Sequence, residues 1–395
     1  MLDRAQAIQD QLVKWRRAIH QYPEVGFTEV RTAALVADEL HQMGLCVETG
    51  VGKTGVVGHL GSGSPVVAIR ADMDALPIQE TNAVPYASCV PGVMHACGHD
   101  SHTAMLLGVA KLLSDLYRKS PLPGEVRFLF QPSEEMTDDE DKSGAMRMTE
   151  DGAMKGVDIV FAQHVNNEYP VGDVVSGAGL ISAAEDSFRI KLIGKGGHAA
   201  YPHRTVDPIF IMSQVLHAIQ GVVARKSDPT KPAVISVCSV HGGAATNVIP
   251  DSVELLGTCR SADAETRQHL LTELDKALGV ARTLGGDYEL QIMPGQPAAH
   301  DTPAAADLVG QVVTDLLGAG HIRPPKSGLG AEDFGVFVAN AREGGTMFGL
   351  GAWSGQGEKR RAHSPTFDLD ERALPIGTAI LAEATVRYLR GRTSA

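Results

Sequence analysis

The densest group of potentially reactive side chains is the run His95-Ala-Cys-Gly-His-Asp-Ser-His102, which holds three histidines, one thiol and one carboxylate within eight residues. Cys97 and His99 are two positions apart, so on an extended segment their side chains point to the same face. This face precedes a predicted helix, at a strand-to-helix junction of the kind where open α/β sheets bind ligands. The spacing favours Cys97 and His99 as metal ligands and predicts supporting or surface roles for His95 and His102. The alternative is a set of scattered surface histidines beside a buried thiol.

Two adjacent carboxylates, Glu134 and Glu135, follow directly after a predicted buried strand over 126–130. Adjacent carboxylates repel each other and lose hydration unless cations or protons compensate them. On a solvated surface such a pair carries no functional meaning, but here a strand delivers it to the same sheet edge as Cys97 and His99. One carboxylate can then bind a metal while the other, pointing away, acts as a general base.

Two further histidines extend this pattern. His164 ends the predicted strand that begins at Ile159, and His363 follows a Gly-rich stretch near the C-terminus. Either histidine alone would ordinarily be structural or exposed, whereas several strand-end donors in one sheet favour a shared metal site. Asp72 and Asp74 come after another buried strand, and a hydrogen bond to a ligand histidine or to a metal-bound water competes there with a turn-forming role.

A second group of candidates lies in the middle of the chain. The run Gly194-Lys-Gly-Gly-His-Ala-Ala-Tyr-Pro-His203 presents His198 at the end of a strand, and Asn247 places an amide in a loop. Arg260 ends a strand with a guanidinium group, which is suited to binding a carboxylate through two hydrogen bonds. A surface arginine is the alternative for Arg260. Because the net charge is −12, an anionic substrate needs a local cation of this kind.

The elements that must position these residues fall into two classes. Alternating helices and Val/Ile-rich strands predict an α/β domain; its helices are predicted at about 3–20, 28–43 and 101–117, and its strands near 46–51, 55–60, 65–71, 126–130 and 159–162. From about 182 the order becomes β-α-β-β-α-β, which is the ferredoxin-like arrangement; its elements are predicted at 187–193, 207–224, 233–240, 252–258, 263–284 and 287–293. Helices at 303–317, 331–339 and 371–390 and a strand at 346–350 return to the first pattern. The sequence therefore predicts an α/β domain over 1–183 and 296–395 that is interrupted by an α+β domain over 184–295.

Composition excludes several other classes of protein. With 47 Asp+Glu against 35 Lys+Arg, the chain lacks the basic footprint of a nucleic-acid-binding protein. Its five cysteines are widely spaced without a C-x-x-C pair, which favours a reducing compartment over a disulfide framework. No signal-peptide pattern and no apolar run of about 18 residues is seen, so we expect a cytoplasmic protein with no membrane contact.

Some local motifs have simple interpretations. Gly52-Lys-Thr54 imitates the end of a P-loop, but the position of the required upstream glycine holds Val47. Neither a G-x-S-x-G elbow nor an H-E-x-x-H helix occurs in the sequence. The acidic run over 137–142 is predicted to be a solvated loop, with metal capture as the alternative.

The motifs, taken in order, form a pattern that covers nearly the whole chain. They are His20-Gln-Tyr-Pro-Glu-Val-Gly-Phe27, Arg70-Ala-Asp-Met-Asp-Ala-Leu-Pro77, His95-Ala-Cys-Gly-His-Asp100, Gln131-Pro-Ser-Glu-Glu135, Gly194-Lys-Gly-Gly-His-Ala-Ala-Tyr-Pro-His203, Asn247-Val-Ile-Pro250, Gly330-Ala-Glu-Asp-Phe334 and His363-Ser-Pro365. The sequence resembles the amidohydrolase branch of the co-catalytic metallo-aminoacylase/carboxypeptidase superfamily, which includes hippurate hydrolase and indole-3-acetyl-amino-acid hydrolases. One departure from the family pattern is the acidic run after Glu135, where a short Gly-rich turn is usual.

The resemblance implies a zinc-exopeptidase-like catalytic domain, with a mixed sheet flanked by helices, and an inserted ferredoxin-like lid through which such proteins commonly form homodimers. It implies two divalent metal ions, Mn²⁺ or Zn²⁺ with Co²⁺ as a third candidate; the implied ligands are Cys97 as a bridging thiolate, His99, Glu135, His164 and His363. Glu134 would be the general base and acid, and Asp74 a supporting member of the catalytic group. In the lid, His198 and Asn247 would bind the substrate carbonyl oxygen or carboxylate and Arg260 the carboxylate, in the same site or that of a neighbouring subunit.

The implied activity is hydrolysis of the amide bond of N-acyl or N-aroyl amino acids by a metal-activated water. A dipeptidase or carboxypeptidase is the alternative enzyme, because a dipeptide is an amide with the same terminal carboxylate. A non-catalytic binding protein on the same fold is the remaining alternative, but it would require the loss of a ligand or of the base, and all six positions are filled.

Overall fold

The computed structural model describes residues 1–326 and 328–391. The strands are, in chain order, β1 Cys46–Val51, β2 Gly55–Gly61, β3 Val66–Asp72, β4 Glu125–Gln131, β5 Ile159–Pro170, β6 Val174–Val175, β7 Leu180–Ser182, β8 Ala184–Ile193, β9 Gly197–His198, β10 Ala233–His241, β11 Val248–Ile249, β12 Ser252–Ser261, β13 Asp287–Pro294, β14 Ala299–His300, β15 Ile322–Arg323 and β16 Gly345–Trp353. The α-helices are α1 Leu2–Gln6, α2 Gln9–His20, α3 Val30–Gln42, α4 His99–Lys119, α5 Gly144–Glu150, α6 Pro208–Lys226, α7 Ala264–Leu278, α8 Val280–Thr283, α9 Pro303–Leu317, α10 Phe334–Asn340 and α11 Leu374–Gly391.

The described chain forms two compact units. Among the described residues, the first comprises Met1–Gly179, His300–Lys326 and residues 336–391, and the second comprises Leu180–Ala299 and residues 328–335. The segment over 328–335, which the sequence places in the α/β domain, groups with the second unit. The backbone N–H of Ala183 donates a hydrogen bond to the carbonyl of Gly330, a contact between distant parts of the sequence that no local pattern encodes. The assignment of functions to the two predicted domains stays a prediction.

The first unit is built on an eight-stranded mixed sheet in the order β1-β2-β4-β3-β5-β16-β6-β15. Its centre is parallel, because β3 pairs in parallel with both β4 and β5, and β5 with β16. Every residue of β3 is buried, as expected for a strand covered on both faces by helices. The predicted α/β class, with a mixed sheet flanked by helices, is confirmed.

Several element boundaries differ from the sequence prediction. Strand β5 continues to Pro170 instead of ending at His164, so this histidine lies inside the strand. The first predicted helix is two helices, α1 and α2, separated at Ala7 and Ile8, and the long helix predicted over 263–284 is interrupted at Gly279. Helix α4 begins at His99 rather than near Ser101, because Gly98 takes a left-handed conformation with φ 96° and serves as its N-cap. His99 therefore belongs to the first turn of a helix.

The second unit contains an antiparallel four-stranded sheet in the order β10-β12-β8-β13. With helices α6 and α7 between the strands, this is the second-third-first-fourth order that a ferredoxin-like β-α-β-β-α-β chain produces. Phe188, Ile190 and Leu192 of β8 are buried while Arg189 and Lys191 between them are exposed, which is the alternation of a strand with one covered face. The buried core of this unit lies wholly within residues 188–281.

The acidic run over 137–142 is an exposed loop organised around Asp138. This carboxylate accepts two backbone N–H groups of its own loop. It also forms ion pairs with Lys53 at 2.5 Å and with Arg147 at 2.6 Å. The loop charges are thus matched by neighbouring cations. No helix among the described residues is both long and apolar enough to span a membrane.

Candidate metal centre

The carboxyl ends of three parallel strands supply most of the candidate site. Strand β3 ends at Asp72, β4 ends at Gln131 just before the two glutamates, and β5 carries His164. Because these strands run in the same direction, their carboxyl ends share one sheet edge, where open α/β sheets place ligands. Helix α4 begins at the same edge, which brings Cys97 and His99 to it.

The structure brings six of the predicted site residues together. Cys97, His99 and His164 form one cluster in which the potential ligand atoms lie within 4.8 Å of one another, and Cys97, Glu135 and His363 form a second. The two clusters share the Cys97 sulfur, as expected for a pair of ions bridged by a thiolate. Glu134 joins His99 and Glu135 in a third cluster within the same limit, so the predicted base lies beside the predicted ligands.

Hydrogen bonds decide which nitrogen of each ring is available to a metal. The Nδ1 atom of His99 lies 2.9 Å from the carbonyl oxygen of Asp74, and the Nδ1 atom of His164 lies 2.8 Å from the carbonyl oxygen of Val165. A carbonyl oxygen can only accept, so each Nδ1 carries a proton and donates it. Each Nε2 is then left with a lone pair when the ring is neutral. The Nε2 atom of His164 is 3.4 Å from the Cys97 sulfur, which aims it into the first cluster.

His102 differs from His99 and His164 in the hydrogen bonds of its ring nitrogens. Its Nε2 accepts the backbone N–H of Val165 at 3.0 Å, so its Nδ1 carries the proton and donates to Asp72 at 2.6 Å. Both nitrogens are occupied, which agrees with the predicted supporting role. Asp72 in turn lies 2.7 Å from Arg70. Burial opposes the charge on Asp72, but Arg70 and the neighbouring histidines lower the pKa of this carboxyl well below its ordinary value.

The chemistry of the donor set fits a bound cation. Within the part of the chain that the structure describes, the buried Nε2 atom of His99 has no hydrogen-bond partner, as expected for a ligand atom. Burial raises the pKa of the Cys97 thiol to about 12, so a thiolate there needs a neighbouring positive charge. Although burial disfavours a charge on His99, Asp72 and Cys97 raise the pKa of its ring well above the ordinary value. The centre therefore favours positive charge strongly, as a divalent-metal site must.

His164 and His363 differ in their surroundings. Burial, together with the nearby His102, lowers the pKa of His164 to about 3, so this ring stays neutral and keeps its lone pair. His363 is half exposed, and its Nε2 lies 3.0 Å from Glu135 Oε1. The hydrogen bond to Glu135 raises the pKa of His363. The backbone N–H of His363 donates to Ala96 at 2.8 Å, which anchors its loop next to Cys97.

Asp74 contacts two of the predicted ligands rather than an open space. Its Oδ1 lies 3.2 Å from the protonated Nδ1 of His99, and its Oδ2 accepts the backbone N–H of Glu135 at 3.0 Å. These bonds fix the ring of one ligand and the backbone of another. Hydrogen bonds from neighbouring residues to metal ligands orient those ligands and raise their basicity. The position of Asp74 therefore fits the predicted hydrogen bond to a ligand histidine.

A buried ion cluster behind the centre was not singled out by the sequence. Asp100 accepts hydrogen bonds from Arg16 Nε and His20 Nδ1, both at 2.8 Å, and all three side chains are buried. The partners are 84 and 80 residues apart in sequence, so no local spacing could reveal them. The family pattern includes His20 and Asp100 in two separate runs, but it does not indicate that these residues meet or that Arg16 joins them. The neighbouring His95 is also buried, and burial lowers its pKa to about 4.

The three remaining site residues lie in the second unit. His198 on β9 is paired with Val248 on β11, and the backbone N–H of Ala199 donates to Asn247, so His198 and Asn247 are neighbours on one two-stranded ribbon. The Nδ1 atom of His198 accepts the N–H of Ala200, which leaves its exposed Nε2 as the proton donor.

Arg260 lies on the four-stranded sheet, directly across from Glu185 on β8. Its Nη1 is 2.6 Å from Glu185 Oε1. A carboxylate of the protein therefore already occupies the position at which a substrate carboxylate is predicted to bind.

Comparison with known proteins defines the class to which this fold and site belong. Residues 68–387 match the model of Peptidase family M20/M25/M40, and the chain belongs to this family. The predicted resemblance to its amidohydrolase branch, and the assignment as a hydrolase, are confirmed.

Individual relatives match over almost their full lengths. The chain is 40% identical to Thermostable carboxypeptidase 1 of Saccharolobus solfataricus, covering 96% of both chains. It is 38% identical to IAA-amino acid hydrolase ILR1-like 2 of Arabidopsis thaliana, covering 98% of this chain and 87% of that one. Among solved structures, the YXEP protein of Bacillus subtilis, described as a dinuclear metal binding peptidase, is 33% identical with a TM-score of 0.83 and coverage of 98% and 99%.

Proposed function

We propose that this protein hydrolyses the amide bond of N-acyl or N-aroyl amino acids at a site that holds two divalent metal ions. The observation that carries the proposal is the pair of donor clusters that share the Cys97 sulfur, with Glu134 beside them. The name of the plant relative, an IAA-amino acid hydrolase at 38% identity, supports an acylated amino acid as the substrate.

Each cluster would hold one ion. His99 and His164 would bind the first ion, Glu135 and His363 the second, and the Cys97 thiolate both. A mixed set of sulfur, nitrogen and oxygen donors suits Zn²⁺ and allows Mn²⁺ or Co²⁺. When bound, the ions supply Lewis acidity toward the amide oxygen and lower the pKa of a water molecule.

The protein's own residues would move the proton and hold the geometry. A carboxylate oxygen of Glu134 would accept the proton of the attacking water and later deliver it to the amide nitrogen as this leaves. Asp74 would keep the His99 ring and the Glu135 backbone in place through the contacts described above. His102 would hold the strand at Val165 next to His164.

The second unit is proposed to recognise the substrate. His198, with its proton on the exposed Nε2, and Asn247 would donate to the carbonyl oxygen or carboxylate of the substrate. Arg260 would bind the carboxylate after releasing Glu185. Homodimer formation through this unit and a cytoplasmic location stay predictions.

A peptidase is the second candidate, because the archaeal relative with 40% identity is named a carboxypeptidase. The two candidates differ in the group on the substrate nitrogen. We therefore propose assaying benzoylglycine, acetyl-amino acids, indole-3-acetyl-amino acids and free dipeptides with apoenzyme reloaded with Mn²⁺, Zn²⁺ or Co²⁺. Preference for the acylated compounds supports the proposal, and preference for a free α-amino group supports the peptidase.

The same assay tests the role of Glu134. Glu134→Gln removes the base but keeps its size, so we expect kcat to fall by about 10²–10⁴ while the metal content stays unchanged. Asp139→Asn, at an exposed carboxylate of the same loop, is the matched control and should keep wild-type activity. Activity of Glu134→Gln within a few-fold of wild type would contradict the assignment.

A further inference from the structure

The residue immediately before the predicted base has an unusual backbone. Ser133 is fully buried and has φ 43°. This value lies in the left-handed region of backbone conformation, which residues other than glycine seldom adopt. Such a conformation persists only where the surrounding structure imposes it, and it concentrates at functional sites. The turn that presents Glu134 must therefore be held from outside.

Every polar group of Ser133 is used to hold this conformation. Its hydroxyl donates to the carbonyl of Met136 at 2.8 Å, and its carbonyl accepts the N–H of Gly144 at 2.9 Å. These partners are close in sequence, three and eleven residues after Ser133. Its N–H instead donates at 2.8 Å to Glu29 Oε1, from a segment 104 residues away. Glu29 is thus the long-range support of the turn.

Glu29 is itself fixed in one orientation. The side chain is fully buried, and its Oε2 accepts the hydroxyl of Thr54 at 2.5 Å. Thr54 lies in the turn between β1 and β2, within the run Gly52-Lys-Thr54 that imitates a P-loop. Burial raises the pKa of Glu29 to about 7, because an ionised carboxylate at this position loses its hydration, which costs free energy. The folded protein keeps the hydrogen bond from Ser133 to Glu29 in spite of this desolvation cost, and unfavourable arrangements of this kind are expected at functional sites.

The backbone next to Glu29 is also shaped to approach the turn. A Cβ atom on Gly26 would lie 2.2 Å from the Ser133 hydroxyl oxygen and 3.0 Å from its Cβ. Only a glycine at this position lets the chain come so close without displacing Ser133. The segment over 26–29 therefore supports Ser133 at two points, by a hydrogen bond and by close packing.

The two adjacent glutamates have separate supports. The N–H of Glu135 is held by Asp74, whereas the residue before Glu134 is held by Glu29. A change at Glu29 should therefore disturb the position of the base more than that of the metal ligand.

We propose that Glu29 is a positioning residue for the predicted base: by accepting the Ser133 N–H it holds the left-handed turn that aims Glu134 at the reaction. The inference rests on the proposed function for its kinetic consequence, but its structural consequence can be measured separately.

The test compares Glu29→Ala, Glu29→Gln and Asp158→Ala with wild type in the full-length, metal-loaded protein. Glu29→Ala leaves the Ser133 N–H without its acceptor, and a displaced catalytic group lowers turnover by about 10²-fold, so we expect kcat to fall to that extent with KM and metal content little changed. Glu29→Gln keeps an acceptor oxygen and should recover most of kcat. Hydrogen exchange of the backbone around Ser133 should be faster in Glu29→Ala alone.

Asp158→Ala is the matched control for the loss of a buried carboxylate. Asp158 accepts the backbone N–H of Val66 at 2.7 Å, at the opposite end of β3 from the candidate site. This variant should lose thermal stability but keep kcat and the slow exchange around Ser133.

Three results would overturn the inference: a kcat of Glu29→Ala within twofold of wild type, no recovery in Glu29→Gln, or an equal loss of kcat in Asp158→Ala. If wild type hydrolyses none of the acylated amino acids, the proposed function fails. Hydrogen exchange alone then tests whether Glu29 holds the turn at Ser133. Faster exchange around Ser133 in Glu29→Ala but not in Asp158→Ala then supports the positioning role, and unchanged exchange rejects it.

Discussion

Single hydrogen bonds determine which histidines of this protein can bind a metal. His99, His102 and His164 are all buried or nearly so, and the sequence predicts ligand roles for His99 and His164 but a supporting or surface role for His102. The structure gives a reason for this difference, because Nε2 of His102 accepts a backbone N–H, whereas Nε2 of His99 has no hydrogen-bond partner among the described residues. The chemical types of the site residues could be predicted from the sequence, but ring tautomers depend on backbone carbonyls that only the folded chain brings near.

Asp301 shows the effect of burial on one carboxylate away from the site. Burial raises the pKa of Asp301 to about 6, although it accepts hydrogen bonds from Thr346 and the N–H of Met347. The folded state thus binds this proton more tightly than the unfolded state. The stability gained from the protonated form is complete below about pH 4 and is lost as the pH rises through about 6.

We therefore expect Asp301→Asn, which stays neutral and keeps an acceptor oxygen, to become more stable relative to wild type as the pH rises from about 4 to 7, by up to about 3 kcal/mol. Thermal midpoints of both proteins across this range provide the measurement. Asp307→Asn, on the exposed surface of α9, controls for the loss of one negative charge. A difference between Asp301→Asn and wild type that does not change with pH would contradict the prediction.

At the scale of elements, the site depends on where α4 begins. The periodicity of the sequence predicts this helix well in its interior but not at its first turn, because the left-handed Gly98 and the carbonyl of Asp74 set the position of His99. Periodicity likewise did not predict the break between α1 and α2, because it is a poor guide to where a helix begins or ends. The strands were easier to predict, since long Val/Ile-rich runs such as β3 are typical of strands buried on both faces.

Helix α4 is tied to α2 by the ion pair between Asp100 and Arg16, in which neither side chain is exposed. Removing one partner of a buried ion pair leaves the other charge uncompensated, which costs about 3–5 kcal/mol. We expect Arg16→Met to lower the free energy of unfolding by about this amount, as measured by denaturant titration.

The adjacent Arg17 provides the control. Arg17 pairs with Glu371, but its side chain is 44% exposed, and exposed ion pairs contribute about 0–1 kcal/mol. Arg17→Met should therefore change the stability little. Equal losses in the two variants would show that burial does not determine the strength of the Arg16 pair.

At the scale of the whole molecule, the order of helices and strands along the sequence was the main basis for predicting two units. The β-α-β-β-α-β order in the middle of the chain predicted a separate α+β unit, and the structure contains a sheet with the strand order of that topology. Segment 328–335 could not be assigned in this way, because its place depends on the long-range contact between Ala183 and Gly330. The net charge of −12 predicts that nucleic acid is not a partner, but it cannot identify which acidic side chains lie at the candidate metal centre.

The proposed function requires two divalent ions that are bound through one shared thiolate. The most direct test measures metal bound per chain, together with activity, in wild type, Cys97→Ala and Cys259→Ala. Cys259 is the matched control, since it is a buried cysteine of the second unit. We expect two ions and full activity in wild type and Cys259→Ala, and fewer than two ions with lost activity in Cys97→Ala. Two ions retained without Cys97, or full activity in protein shown to contain no metal, would contradict the account.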